Sequence, residues 1–169
     1  PDAPLIGALR AIVRDPHRRM EIDERVVAAE RVGRLSPRAL DEVAAGIRRL
    51  QRVPRGRGLG GGNFFPVDVT ERISNPTPDT AENRFVKAFV ISCGHIVEAM
   101  RQRMRSTSTP LAQKVLADCT SIEGELAPIH RHRMWEPVGR MLWFPASSTV
   151  LQRRAPYREV LRHHILLRM

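Results

Sequence analysis

The chain has 169 residues, a formal net charge of +10 at pH 7 and a pI near 11.3, enough length for one domain with a real core or a domain with a small appendage. No apolar run approaches the roughly 18 residues needed to cross a bilayer, and no basic start, apolar run and small-residue cleavage site marks a secretory leader. Cys93 and Cys119 are too few for a disulfide framework and read as small buried hydrophobes, so a cytoplasmic protein with no membrane partner is expected.

Apolar residues at Leu5, Ile6, Leu9, Ile12 and Val13 have helical spacing, and Asp15-Pro16 ends that helix. Met20 to Val32 fits a short extended segment about as well as a helix. Ser36-Pro37 is a helix start, with Ser as N-cap and Pro at the first helical position, and Leu40, Val43, Ile47 and Leu50 would form one buried stripe. A Gly/Arg-rich loop then spans Val53 to Phe65, and Val67-Asp68-Val69-Thr70 alternates like a strand. Ser74-Asn-Pro-Thr-Pro-Asp79 reads as a linker.

The longest predicted element runs from Thr80, which can cap it, to Arg105, with Phe85, Phe89, Cys93, Ile96, Met100 and Met104 on one face. After a Ser/Thr break, Leu111, Val115, Cys119, Ile122, Leu126 and Ile129 mark a second long helix. Two long helices joined by a short turn should pack antiparallel. Ser147 or Ser148 starts a short helical turn, and Pro156 opens a last helix through Val160, Leu161 and Leu166. The expected fold is mainly α: a helical bundle with two long antiparallel helices and a small extended or β appendage. Residues 1–65 would hold the N-terminal segment and its Gly/Arg-rich loop, and 66–169 the bundle.

The basic excess suits a polyanion such as DNA. Lys87 and Lys114 are the only lysines, however, and a GC-rich genome gives the same arginine skew, so charge alone leaves both readings open. Gly56-Arg-Gly-Leu-Gly-Gly61 matches G-x-G-x-x-G as a string, but a dinucleotide site needs a strand before it and a helix after it, the reverse of the order here. His130-x-His132 sits among Arg131 and Arg133, which disfavour a metal. No cofactor site is expected in this chain.

Two stretches carry a denser signal. In Asp79-Thr-Ala-Glu-Asn-Arg-Phe-Val-Lys87, Glu82 and Asn83 suit a helix first turn, and Arg84 and Lys87 can share a face. In Ser148-Thr-Val-Leu-Gln-Arg-Arg-Ala-Pro-Tyr-Arg158, the side chains of Gln152, Arg153, Arg154, Tyr157 and Arg158 form a polar cluster at a helix break. Guanidinium forks and a phenol suit phosphate or carboxylate recognition. A salt-bridge network tying the last helix to Glu82 is the competing account.

In order along the chain, D-T-x-E-N-R-F-V-K, two long helices and F-P-x-S-S-x-V-L-Q-R-R-x-x-Y-R-E-V-L resemble the helical domain upstream of the PD-(D/E)XK nuclease in McrC-like and LlaJI-like restriction components. Arg14-Asp15-Pro16-His17-Arg18 and Ser36-Pro37-Arg38-Ala39-Leu40 are similar to upstream segments of that family. Ala81 stands where the family commonly has Pro. The resemblance implies a Mg²⁺-dependent nuclease domain following Met169, and an AAA+ GTPase or ATPase partner of McrB type in a modification-dependent restriction or antiphage system. The missing initiator Met before Pro1 agrees with a piece of a longer product. A nuclease core of this type needs an acidic residue two positions before its catalytic Lys, to hold Mg²⁺. Phe85 precedes Lys87 by two and Ala112 precedes Lys114 by two, so no catalytic centre of the usual form is expected here. A non-catalytic coupling module, a stand-alone DNA-binding module and a structural or homo-oligomerising scaffold are the three functions left standing.

Overall fold

A computed structural model describes residues 4–168; Pro1, Asp2 and Met169, which bear on where the sequence begins and ends, lie outside the described residues. Its contacts divide the chain into two units, one made of residues up to Arg19 together with Thr77 onward, the other of Met20–Pro76. These cuts fall at 19/20 and 76/77.

In the first unit, α1 (Pro4–Arg14) buries Ile6, Leu9 and Ile12. α3 (Ala81–Met104) and α4 (Pro110–His130) are the long helices, each begun by a threonine whose hydroxyl accepts a backbone N–H: Thr80 from Asn83 and Thr109 from Ala112. Pro110 at the first helical position has no N–H to leave unpaired. A single turn of 3-10 helix, Arg133–Trp135, leads through an irregular segment to α5 (Thr149–Arg153), which Ser148 caps, and then to α6 (Ala155–Leu166). The core gathers Ile6, Leu9 and Ile12 from α1, Phe85, Val86, Phe89, Val90 and Cys93 from α3, and Leu126 and Ile129 from α4. Met134, Trp135, Val138, Leu151, Tyr157 and Val160 complete it from the C-terminal part.

In the second unit, β1 (Arg19–Ala28) pairs with β4 (Asp68–Thr77), and β2 (Leu50–Arg52) pairs antiparallel with β3 (Phe64–Pro66) in the register Leu50–Pro66, Gln51–Phe65, Arg52–Phe64. Between them lies α2 (Ala39–Ala44). Carboxylates fasten the loops. Glu71 accepts the Gly33 N–H at 2.7 Å and the Arg25 Nε at 3.1 Å, which together hold it below the usual carboxylate range against the cost of burial. Glu42 takes the Thr70 hydroxyl at 2.6 Å and Arg48 Nη2 at 2.8 Å.

The expected mainly-α bundle with two long antiparallel helices and a small appendage is therefore corrected. Among the described residues there are six α-helices and two small antiparallel sheets, a mixed α/β chain. β1 and β4 are ten residues each, too long to be an appendage. The reason is visible in where the apolar faces go. The first half of α3 is in the core, but Ile96 and Met100 are exposed, as are Leu111 and Ile122 of α4, so the stripes do not close into a continuous bundle seam.

Two local expectations also change. Ser74-Asn-Pro-Thr is the end of β4 rather than a linker, its Pro76 tolerated because it sits one residue from the strand terminus. α2 stops at Ala44, with Gly46 at φ +70° following, so Leu40 and Ile47 are exposed and the Leu40–Leu50 stripe does not form. The Gly/Arg-rich stretch is the loop of the β2–β3 hairpin. A Cβ at Gly58 would lie 2.5 Å from the Phe64 carbonyl oxygen, which explains that glycine without any phosphate ligand.

Candidate functional site: an internal polar joint

Thr80 turns the chain into α3, and this places Asp79 just outside the helix, facing Arg84 one turn on. The pair is bidentate, Arg84 Nε to Asp79 Oδ1 at 2.6 Å and Nη2 to Oδ2 at 2.5 Å. The Gly139 N–H adds a third donor to Oδ1 at 3.0 Å. The Arg84 guanidinium, chiefly by hydrogen bonding, drives the Asp79 carboxyl down to about 2, and the same contact raises Arg84.

Asn83, in the first turn of α3, is wholly buried. Its Nδ2 donates to the carbonyls of His17 at 2.8 Å and Pro78 at 2.6 Å, while its Oδ1 accepts the Tyr157 hydroxyl at 2.6 Å. Tyr157 in turn accepts the His17 N–H at 2.7 Å. Burial pushes the phenol up to about 12, so it stays a neutral donor. Glu82 accepts the Ser148 hydroxyl at 2.6 Å. Burial opposes its charge, and the hydrogen bonds from Ser148, its own N–H and Thr80 outweigh burial to leave the carboxyl below its ordinary value. Lys87, one turn further, donates to the carbonyls of Trp135 at 2.9 Å and Val138 at 2.5 Å.

The structure thus brings Glu82, Asn83, Arg84, Lys87 and Tyr157 into one joint that ties α3 to the C-terminal segments. Gln152, Arg153 and Arg158 are outside it and exposed; the Gln152 amide reaches only the Ala146 carbonyl, at 3.4 Å. Arg154 lies over the Tyr157 ring, 5.9 Å from its centroid, and pairs with the exposed Asp15 at 3.5 Å. The last helix is tied to α3 through Tyr157 and Asn83, and Glu82 is held by Ser148 at the start of α5 rather than by an arginine. Asp79 and Ser148 are the members that residue-type reasoning left out. Asp79 could have been found from its place before the Thr80 cap, five residues ahead of Arg84; the carbonyls of Trp135 and Val138 leave no signal in side-chain identity.

The polar side chains of the joint are largely taken up by protein partners, while Asp79 and Arg84 stay partly open to solvent, at 22% and 26% side-chain exposure. A groove of ≈ 260 Å³ between α3 and α4, lined by Val90, Gly94, Val97 and Leu126 with His95 and His130, contains none of these residues. Among the described residues, no group of three or more His, Cys, Asp or Glu could hold a metal, and no helix is long and apolar enough to cross a membrane.

The model of one protein family, a domain of unknown function (DUF2357), matches residues 3–164. No curated protein and no solved structure matches the chain.

Proposed function

The chain belongs to the DUF2357 family, and from that premise we propose that it is a non-catalytic module of a McrC-like, modification-dependent restriction or antiphage defence subunit, coupling an AAA+ motor partner of McrB type and DNA to a downstream PD-(D/E)XK nuclease. One observation carries the reading. The two stretches that bear the resemblance are far apart in sequence, yet their side chains meet, Asn83 with Tyr157 and Glu82 with Ser148. They are occupied in fixing segments against one another, as a coupling module requires and a catalytic centre does not.

The experiment is co-purification of the chain with the AAA+ protein encoded beside it, followed by nucleotide turnover of that partner. Binding with altered turnover is expected. Two folded proteins that neither bind nor change turnover would overturn the coupling role.

A stand-alone DNA-binding module is the second reading, favoured by Arg153 and Arg158, which are exposed and make no side-chain hydrogen bond or ion pair among the described residues. Replacing both with Ala should weaken duplex binding alike for all sequences, and log affinity should fall with log salt at roughly −0.9 per phosphate neutralised. A flat salt response excludes it.

A further inference from the structure

The segment from Gly139 to Pro145 is pinned at both ends. The Gly139 N–H is held by Asp79 at 3.0 Å and the Val138 carbonyl by Lys87 at 2.5 Å. At the other end Phe144 stands edge-on to Phe85 with centroids 5.3 Å apart and stacks on His164 at 5.6 Å, and Pro145 is buried. Between these anchors the chain displays Leu142, 74% exposed, and Trp143, 65% exposed. A large ring left two-thirds in water on an anchored loop contributes little burial to the fold, whereas a ring on an anchored loop binds a flat ligand with little entropy left to lose.

Charge identifies the ligand. Arg140 is exposed two residues from Leu142 and has no side-chain partner among the described residues. Asp79, the carboxylate that reaches this segment, is already held by Arg84, whose side chain also lines the small cleft beneath Leu142 and Trp143. The loop therefore presents an aromatic face and an uncompensated cation in a chain of net charge +10. An acidic polymer with flat, apolar units fits both. Within a stacked duplex each base face is covered, so a protruding ring meets a base only where the strand is single or the base unpaired.

We infer that residues 140–144 form a stacking platform for an unpaired nucleic-acid base, with Trp143 taking the base and Arg140 the neighbouring phosphate. This rests on the DNA contact in the reading above and is independent of the motor.

Trp135 is buried and its indole N–H is bonded to the Ile129 carbonyl, so Trp143 supplies the solvent-exposed part of the tryptophan emission. Titrating the chain with an oligothymidylate of about 15 nucleotides at low salt should quench that emission. With affinity read for every protein from the anisotropy of an end-labelled oligothymidylate, Trp143→Ala should bind about tenfold more weakly, Trp143→Phe should keep part of the affinity, and Arg140→Ala should reduce the log–log salt slope by about 0.7. Thermal melts of the variants should match the parent, because the side chains replaced are exposed. Failure of the parent to bind the oligonucleotide overturns the inference. So does unchanged affinity in Trp143→Ala, which would leave DNA contact standing elsewhere on the chain. Quenching by the AAA+ protein and not by the oligonucleotide would also overturn it and assign the loop to a protein surface. Loss of motor binding with the oligonucleotide quench intact would remove the coupling role and leave the platform.

Discussion

The Tyr157 hydroxyl stands between Asn83 and the backbone of His17, donating to Asn83 Oδ1 at 2.6 Å and accepting the His17 N–H at 2.7 Å. It thereby links the start of α6, the start of α3 and the exit from α1 through one oxygen. Tyr157→Phe keeps the ring and removes that oxygen, leaving a buried amide oxygen and a backbone N–H unpaired. Such orphaned groups cost about 1–3 kcal/mol. Urea unfolding monitored by circular dichroism should show a loss of that size, and binding of any surface ligand by the folded variant should be unchanged. A neutral result would mean that water or a shifted side chain replaces the hydroxyl.

Asp79 makes stability depend on acid. Its carboxyl titrates near 3.8 when free and about 2 in the fold, because Arg84 stabilises the charged form. A carboxyl depressed in this way contributes stability that is complete above about pH 4 and is lost as pH falls through 2. Asp79→Asn should therefore lower stability at pH 7 and flatten the acid limb between pH 4 and 2. Melting temperatures of both proteins across that range check it; parallel acid limbs would assign the limb to other carboxylates.

His164 acts in a different window. Burial first, and Arg168 second, lower its pKa below the ordinary 6.5. The neutral ring, packed on Phe85 and Phe144, is the form the fold favours. Stability from this group is complete above about pH 6.5 and declines as pH drops through the lowered value. His164→Phe should keep the packing and remove the dependence that sets in as pH falls below about 6.5, read from melts, while NMR titration of the parent should place His164 below the ordinary 6.5.

Lys87 tests the joint from its other side. Its ammonium holds the carbonyls of Trp135 and Val138, so Lys87→Met leaves two acceptors without their donor while keeping most of the stem packing. A charge-assisted hydrogen bond contributes roughly 1.5–3 kcal/mol. Hydrogen exchange should rise first at Gly139 and the Trp135 indole, ahead of the α1–α6 core, if the lysine fastens this segment locally.

Much of the first unit was legible because its signals are local. Thr80, Ser148 and Pro156 each mark a helix start by hydrogen-bond chemistry or fixed φ, and the structure begins helices within a residue or two of each. The second unit was less so. Met20–Ala28 reads either way locally and becomes a strand through pairing with β4, a contact some fifty residues away that no spacing encodes. The long helices misled for the opposite reason: their periodicity is genuine, but periodicity shows which face is apolar and not whether anything covers it, and Met100 and Ile122 remain in water. In the joint, side-chain identity pointed to Asn83 and Tyr157 separately, while their partnership depends on how α6 returns to α3.

Glycines separate strain from opportunity. Gly94 and Gly124 lie inside long helices, and a Cβ at either meets nothing within 4 Å. Glycine within a helix costs about 0.5–1 kcal/mol relative to alanine through its unfolded-state freedom, so Gly94→Ala and Gly124→Ala should each stabilise the chain by that amount. Gly58→Ala should do the reverse, because its Cβ would approach the Phe64 carbonyl oxygen to 2.5 Å and that backbone is fixed in the β2–β3 hairpin. Chemical unfolding of the three variants reads the signs directly. A Gly94→Ala that destabilises would show that the α3–α4 groove beside Gly94 closes in solution, since only a neighbour brought within contact could turn that methyl from a gain into a clash.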